Sequence, residues 1–223
     1  MGFKKNISIY SIGEVLSKAI PFLLLPVLAY YITPAEYGII SNITILLSLL
    51  TPLILVGSPS FLGVNYFKLE KDLFLGFTSS IVLLIIIAFL AVTICVIILQ
   101  DIICLYLDIS IFWLYAVLVF SFMQAIKGIF NSLLIFQKKA TYFVWIQIGY
   151  SIVNVAFSIL FVVAFNKSWQ GRLYGIGLAD FIILCLVLVL LYQGSYLNKN
   201  FNKKHVLNGL QFGIPLIPYA VGM

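Results

Sequence analysis

The sequence is short of charge: Asp, Glu, Lys and Arg together make up 9% of its 223 residues, whereas 63% are hydrophobic. A water-soluble domain of this size cannot cover its surface with so few ionic groups, so a soluble globular fold is excluded. Histidine is nearly absent. The one histidine, His205, lies in a basic stretch with Lys203 and Lys204 and reads as a solvated loop residue, so no histidine pair is present to bind zinc. The acidic residues are few and scattered, which leaves no aspartate cluster for two-metal phosphoryl transfer. A nucleophile elbow, a P-loop and a glycine-rich dinucleotide turn are also missing. An enzyme is therefore not expected, and no cofactor beyond a coupling H+ or Na+. Cys95, Cys104 and Cys185 form no C-x-x-C pair and read as small apolar side chains in packed helices. Segments of about ten residues alternating in polarity, the mark of a membrane β-barrel, do not occur.

What is present is apolar material in long blocks. Each is long enough, at about 1.5 Å per residue, to cross a hydrocarbon core of about 30 Å. The sequence thus specifies an all-α, polytopic transmembrane helix bundle. Six complete helices are expected: Ser8 to Ile32, Gly38 to Phe67, Leu73 to Leu99, Ile111 to Phe136, Thr141 to Phe165 and Leu173 to Ser195. A seventh begins near Gly209. Thr33-Pro34 should end the first helix, and Gly57-Ser-Pro-Ser60 should kink the second. The third, the most uniformly apolar, should face lipid. Lys4 and Lys5 precede a run too long for a signal-peptide core, so the first helix is read as retained.

Loop charge gives the orientation. Lys4, Lys5, Lys68, Lys71, Lys138, Lys139, Lys199, Lys203 and Lys204 fall on one side, against only Lys167 and Arg172 on the other. This asymmetry places the N-terminus in the cytoplasm. The formal charge of +6 is therefore a topology signal and does not point to nucleic acid. The lysines at 199, 203 and 204 could also attract anionic lipid or a pyrophosphate headgroup.

The polar residues inside the apolar blocks carry the functional information. Ser121, Gln124, Lys127, Gly128 and Asn131 recur at three- and four-residue spacings, hence on one face of the fourth helix. A lysine near mid-membrane is costly by several kcal/mol or more against lipid, so Lys127 must face protein or water. Gln147, Ser151, Asn154 and Ser158 form a second stripe, Ser41, Thr44, Ser48 and Thr51 a third, and Ser11, Glu14 and Lys18 a fourth. Hydrogen bonds between helices would account for any one stripe; stripes on four helices fit a hydrated cavity. Glu14 and Lys18 are spaced for a local ion pair. Lys127 and Asp180 fall at similar depth and could pair; alternatively Lys127 attracts an anionic group while Asp180 or Glu14 carries a coupling proton or sodium ion. The substrate-facing candidates are Lys127, Lys18, Gln124, Asn131, Gln147 and Asn154.

The paired prolines Pro21 and Pro26 are echoed by Pro215 and Pro218, each pair following a basic stretch. This is the pattern of a six-helix repeat. Residues 1–208 are then an N-terminal lobe and 209–223 the start of a second, incomplete one. The segments P-F-L-L-L-P at Pro21 to Pro26, T-P-A-E-Y-G at Thr33 to Gly38, W-Q-G-R at Trp169 to Arg172, between helices five and six, and F-G-I-P-L-I-P at Phe212 to Pro218 resemble the Wzx-type polysaccharide (O-antigen) flippases. That family lies within the multidrug and oligosaccharidyl-lipid exporters. The resemblance implies a two-lobe transporter of the bacterial cytoplasmic membrane that passes undecaprenyl-pyrophosphate-linked oligosaccharide between leaflets by alternating access. Its implied partners are membrane lipids, the polyprenyl-pyrophosphate-linked glycan and other polysaccharide-assembly membrane proteins. The cationic cavity of that family would here use Lys18 and Lys127. Where many relatives carry an arginine after a glycine-containing bend, this chain has Gly63-Val-Asn65-Tyr66. A drug/cation antiporter centred on an acidic residue is the alternative transporter; a membrane-embedded glycan polymerase or ligase and a non-transporting scaffold are the alternatives of other classes.

Overall fold

A computed structural model describes residues 3–194, 196 and 202–222. Ser195 and Lys199, named above, lie outside the described residues, as do the side chains of Lys4, Lys5 and Lys71. In chain order the helices are α1 (Phe3–Leu23), α2 (Leu25–Tyr31), α3 (Pro34–Leu55), α4 (Ser58–Tyr66), α5 (Lys71–Leu107), α6 (Ile111–Phe136), α7 (Ala140–Ile159), α8 (Ser168–Gln193), α9 (Lys203–Gly213) and α10 (Ile217–Val221). A π-helical turn, Leu160–Ala164, extends α7. Six stretches are long and apolar enough to cross a membrane: Ile9–Tyr31, Pro34–Leu55, Leu73–Leu107, Ile111–Phe136, Ala140–Ala164 and Ser168–Gln193. The chain divides into two compact units, Met1–Thr44 with Gln137–Ile183, and Ile45–Phe136 with Leu184–Met223.

In the first unit α1 packs along α7. Gly13 permits the approach, since a Cβ there would overlap the side chain of Val144. Ser151 Oγ, on α7, donates to the Ser17 carbonyl of α1 at 2.7 Å, and Tyr10 meets Phe143 edge to face at 5.3 Å. The first span is broken at Leu24 rather than continuous. Pro26 cannot complete the ladder across that turn because it has no N–H. Leu24, Leu28 and Ile32 then pack with Val162 into one apolar cluster.

The second span begins at Pro34, four residues before the expected start, because Thr33-Pro-Ala-Glu36 is a helix-initiating box. Glu36 Oε2 accepts from both the backbone N–H and the hydroxyl of Thr33, each at 2.8 Å, while Thr33 Oγ1 accepts from the Glu36 N–H at 3.4 Å. Pro34 occupies the first helical position, where a missing N–H has no consequence. Ser168, at the start of α8, donates to the other Glu36 oxygen at 2.5 Å.

In the second unit the expected break falls at Val56 (φ 46°) and Gly57 (φ 61°), two consecutive residues in the left-handed region. Beside it is an apolar cavity of about 290 Å³, lined in part by Pro52, Leu55, Pro59 and Tyr219. Helix α9 lies against α5 and α4, placing Phe212 on Phe61 and His205 edge-on to Phe77, both at 5.3 Å. His205, Lys203 and Lys204 are therefore helical rather than in a loop, and the seventh segment starts at Lys203, not near Gly209. Asn202 starts it: its side chain accepts from Lys204 N–H at 3.0 Å, and its own N–H donates to Ser80 Oγ at 3.2 Å. Loss of an N-cap typically destabilises by about 1 kcal/mol. Asn202→Ala should lower the thermal midpoint of the detergent-solubilised protein by a few degrees, whereas Asn202→Ser should leave it almost unchanged.

Two further boundaries differ from expectation. Helix α5 runs past Asp101 to Leu107 and is 37 residues long, about 55 Å and thus longer than a bilayer core. Its first half is buried at Phe77, Ile81, Leu84 and Ile85; its second half is open, with Leu105 82% and Tyr106 84% exposed. Helix α8 starts at Ser168, so Trp169 to Arg172 form its first turns and are not an interhelical loop.

Candidate polar site

A buried polar group of the first unit lies between α7 and α8. Asn154 and Ser158, one turn apart on α7, are 4% and 0% exposed, and Asp180 on α8 is 2% exposed. Arg172 projects from α8 onto the α7 pair. Its Nη1 donates to Asn154 Oδ1 and, at 2.6 Å, to Ser158 Oγ. Asn154 Nδ2 donates to the Tyr150 hydroxyl at 3.4 Å, and that hydroxyl is hydrogen-bonded to the Asp180 carboxylate. The bonds form a directed chain of guanidinium, amide, phenol and carboxylate. Its polarity fixes the orientation of the Asn154 amide, because a phenol that donates to a carboxylate must accept from the amide nitrogen.

Of the candidates read from sequence, this unit holds Asn154, Asp180, Gln147, Glu14 and Lys18. Asn154 and Asp180 are brought into the one chain. Gln147 is partly buried one turn before Ser151, and its carbonyl accepts from Ser151 Oγ at 3.1 Å. Glu14 and Lys18 form the expected ion pair at 3.0 Å, with both side chains mostly exposed. An exposed pair of this kind contributes little to stability. Within the α7 stripe, Ser151, Asn154 and Ser158 bond to α1 or α8, which is the interhelical use of such residues.

The second unit holds Gln124, Lys127 and Asn131, all partly buried along α6. Ser121 on the same face is fully buried and donates to the Val117 carbonyl at 2.9 Å. Lys127 is nine residues before Phe136, the end of α6 (136 − 127), or about 13 Å along the axis.

Arg172 and Tyr150 were missed. Arg172, a loop cation by its place in the sequence, is half-buried on α8 and engaged with α7. One signal was present in Gly171-Arg-Leu-Tyr-Gly175-Ile-Gly-Leu-Ala179-Asp180. Gly171, Gly175 and Ala179 recur every four residues, the spacing of a close helix contact, and Arg172 and Asp180 flank that stripe.

Six helices long and apolar enough to cross a membrane define a multi-pass helical membrane protein. The chain belongs to the polysaccharide biosynthesis protein family, whose profile matches residues 3–221. The fold is similar to three solved structures. A MATE P26A mutant superposes with a TM-score of 0.76 at 15% identity, covering 99% of this chain and 54% of that one. MATE in complex with Br-NRF gives 0.75 at 16%, covering 98% and 55%. MATE in complex with MaD3S gives 0.74 at 14%, covering 99% and 54%. This chain thus spans about half the length of those proteins. No curated protein sequence matches it.

Proposed function

We propose that the chain is the N-terminal lobe of a flippase that moves undecaprenyl-pyrophosphate-linked oligosaccharide across the bacterial cytoplasmic membrane by alternating access, with its N-terminus in the cytoplasm. The observation that carries this reading is membership of the polysaccharide biosynthesis family over residues 3–221 in a chain that keeps an ammonium group deep in a spanning helix. On α6, Lys127 with Gln124 and Asn131 would attract the anionic substrate; Lys18 on α1 and Gln147 and Asn154 on α7 are further substrate-binding candidates. Asp180 and Glu14 are the groups to carry a coupling H+ or Na+. Lipids, the lipid-linked glycan and other polysaccharide-assembly membrane proteins are the partners this reading entails.

The similarity to MATE in complex with Br-NRF favours a second reading, a drug/cation antiporter centred on Asp180. Proteoliposomes separate the two. Flipping of a fluorescent lipid-linked oligosaccharide should be lost in Lys127→Ala, with expression and insertion unchanged, because a mid-membrane cation has no substitute on that face. Flipping retained by Lys127→Ala would remove the lysine from the mechanism. Drug efflux that depends on Asp180 and not on Lys127 would favour the antiporter.

A further inference from the structure

We propose that Arg172 is an anion-binding residue, its Nε–Nη2 edge taking a phosphate or pyrophosphate group, and that Asn154 and Ser158 are the residues that position it. Both of its hydrogen bonds leave from Nη1 and end on neutral oxygens. The Nε–Nη2 edge makes no hydrogen bond to the described residues. That edge is the two-donor fork that matches a phosphate or carboxylate in bidentate fashion. A guanidinium serving only to join helices would be expected to take a carboxylate. The carboxylates of this unit are used otherwise: Asp180 bonds to Tyr150, Glu36 to Thr33 and Ser168, and Glu14 to Lys18. Tyr150, on α7, and Tyr37, from α3, are the titratable groups within electrostatic reach of Arg172, and neither is a carboxylate. The cation thus keeps its net charge, half-buried in the second turn of a spanning helix, where an uncompensated charge is costly and a counter-anion is favoured.

The chain back to Asp180 explains why the arginine presents that edge. With Tyr150 donating to Asp180, the Asn154 amide offers its oxygen to Arg172, which holds Nη1 and leaves the Nε–Nη2 edge without a partner among the described residues. The inference deepens the transport reading, on which it rests for the source of the anion, the pyrophosphate of a lipid-linked glycan. The binding step can nevertheless be measured without transport.

The full chain is placed in phosphatidylcholine nanodiscs and titrated with inorganic pyrophosphate, with tryptophan fluorescence as the readout, since Trp169 lies three residues before Arg172. Saturable binding is expected in the wild type. Arg172→Gln should weaken it about 100-fold and Arg172→Lys about tenfold, since lysine keeps the charge and loses the fork. Asn154→Asp should weaken it as much as Arg172→Gln, with arginine still present and the thermal midpoint maintained, because the new carboxylate neutralises the guanidinium. A merely structural arginine would not show that result. Repeating the titration with phosphatidylglycerol present distinguishes the sources: competition marks a site that also accepts lipid headgroups, and no competition marks one that prefers pyrophosphate, both in keeping with the proposal. No binding in the wild type, or binding within about twofold of wild type in Arg172→Gln or in Asn154→Asp, would overturn it. Arg172-dependent binding by a protein that does not flip lipid would instead sink the transport reading and leave the anion site standing.

Discussion

Gly175→Val is expected to abolish recovery of folded protein, seen as loss of the monodisperse peak in size-exclusion chromatography after detergent extraction. The Cβ of any residue at 175 would overlap Ser158 Oγ and lie 2.6 Å from Ser158 N and 2.8 Å from Ser158 Cα. Two of those atoms are backbone, so no rotamer change relieves the contact. Gly171 repeats the situation one turn earlier, with Phe161 C and Val162 N each 2.8 Å from its would-be Cβ. The two glycines and Ala179, itself fully buried, let α8 approach α7 closely, and dispersion contacts between backbones do the work that side-chain burial does in water. Overpacking a side chain typically destabilises by 1–3 kcal/mol. A fixed backbone neighbour puts Gly175→Val beyond about 3 kcal/mol, comparable with the whole margin of a marginally stable fold. Gly149, on α7, is the control, since nothing lies within 4 Å of its would-be Cβ. Gly149→Ala should be neutral or stabilising by up to about 1 kcal/mol, as alanine is the better helix former. Equal loss of protein in both variants would mean that α7 and α8 do not pack as described.

The same contact ties packing to chemistry. Ser158 is at once the residue Gly175 packs against and an acceptor for Arg172. A substitution that moves Ser158 by an ångström therefore also releases the arginine. Any loss of pyrophosphate binding in a partly folded Gly175→Ala protein would follow from that displacement.

How much of this is legible in the sequence depends on whether the signal is local. Helix α6 runs from Ile111 to Phe136 as its hydropathy and spacing require, because apolar length and period are properties of one segment. The break at Val56–Gly57 and the Glu14–Lys18 pair were equally readable, since each rests on residues within a turn of one another. Arg172 was not. A cation at the edge of an apolar block looks like the end of a span, and only the fold reveals that Asn154, 18 positions earlier, is opposite it. The end of α5 was not legible either, since the helix continues through Asp101 to Leu107. Thr33-Pro-Ala-Glu36 is the stop its proline implies, since α2 ends at Tyr31, and the glutamate three residues on makes it a start as well.

In the second unit the largest effect is expected from Gly213→Ala. A Cβ at 213 would overlap the Val56 carbonyl oxygen and lie 2.6 Å from Val56 C and 2.9 Å from Val56 Cγ1. The opposing backbone has little room to yield. Val56 is a β-branched residue held at φ 46°, and Gly57 beside it is at φ 61°, so both already occupy a region that a side chain makes unfavourable by about 1–2 kcal/mol. Gly57 is packed in turn, with Gly213 Cα 3.0 Å from its own would-be Cβ. Two glycines in sequence segments more than 150 residues apart (213 − 57) therefore fit one another, and neither tolerates a methyl group. Gly213→Ala should lower stability by more than about 3 kcal/mol and detach α9 from the α3–α4 break. Relieving the strain does not offset this loss. Val56→Gly would remove about 1–2 kcal/mol of strain, but it discards a side chain only 4% exposed, worth about 1.5–3 kcal/mol, so that variant should also be less stable. Hydrogen exchange across α9 is the measurement: amides from Val206 to Phe212 should lose protection in Gly213→Ala while those of α7 keep theirs. Unchanged protection would show that Gly213 does not rest on the Val56 carbonyl.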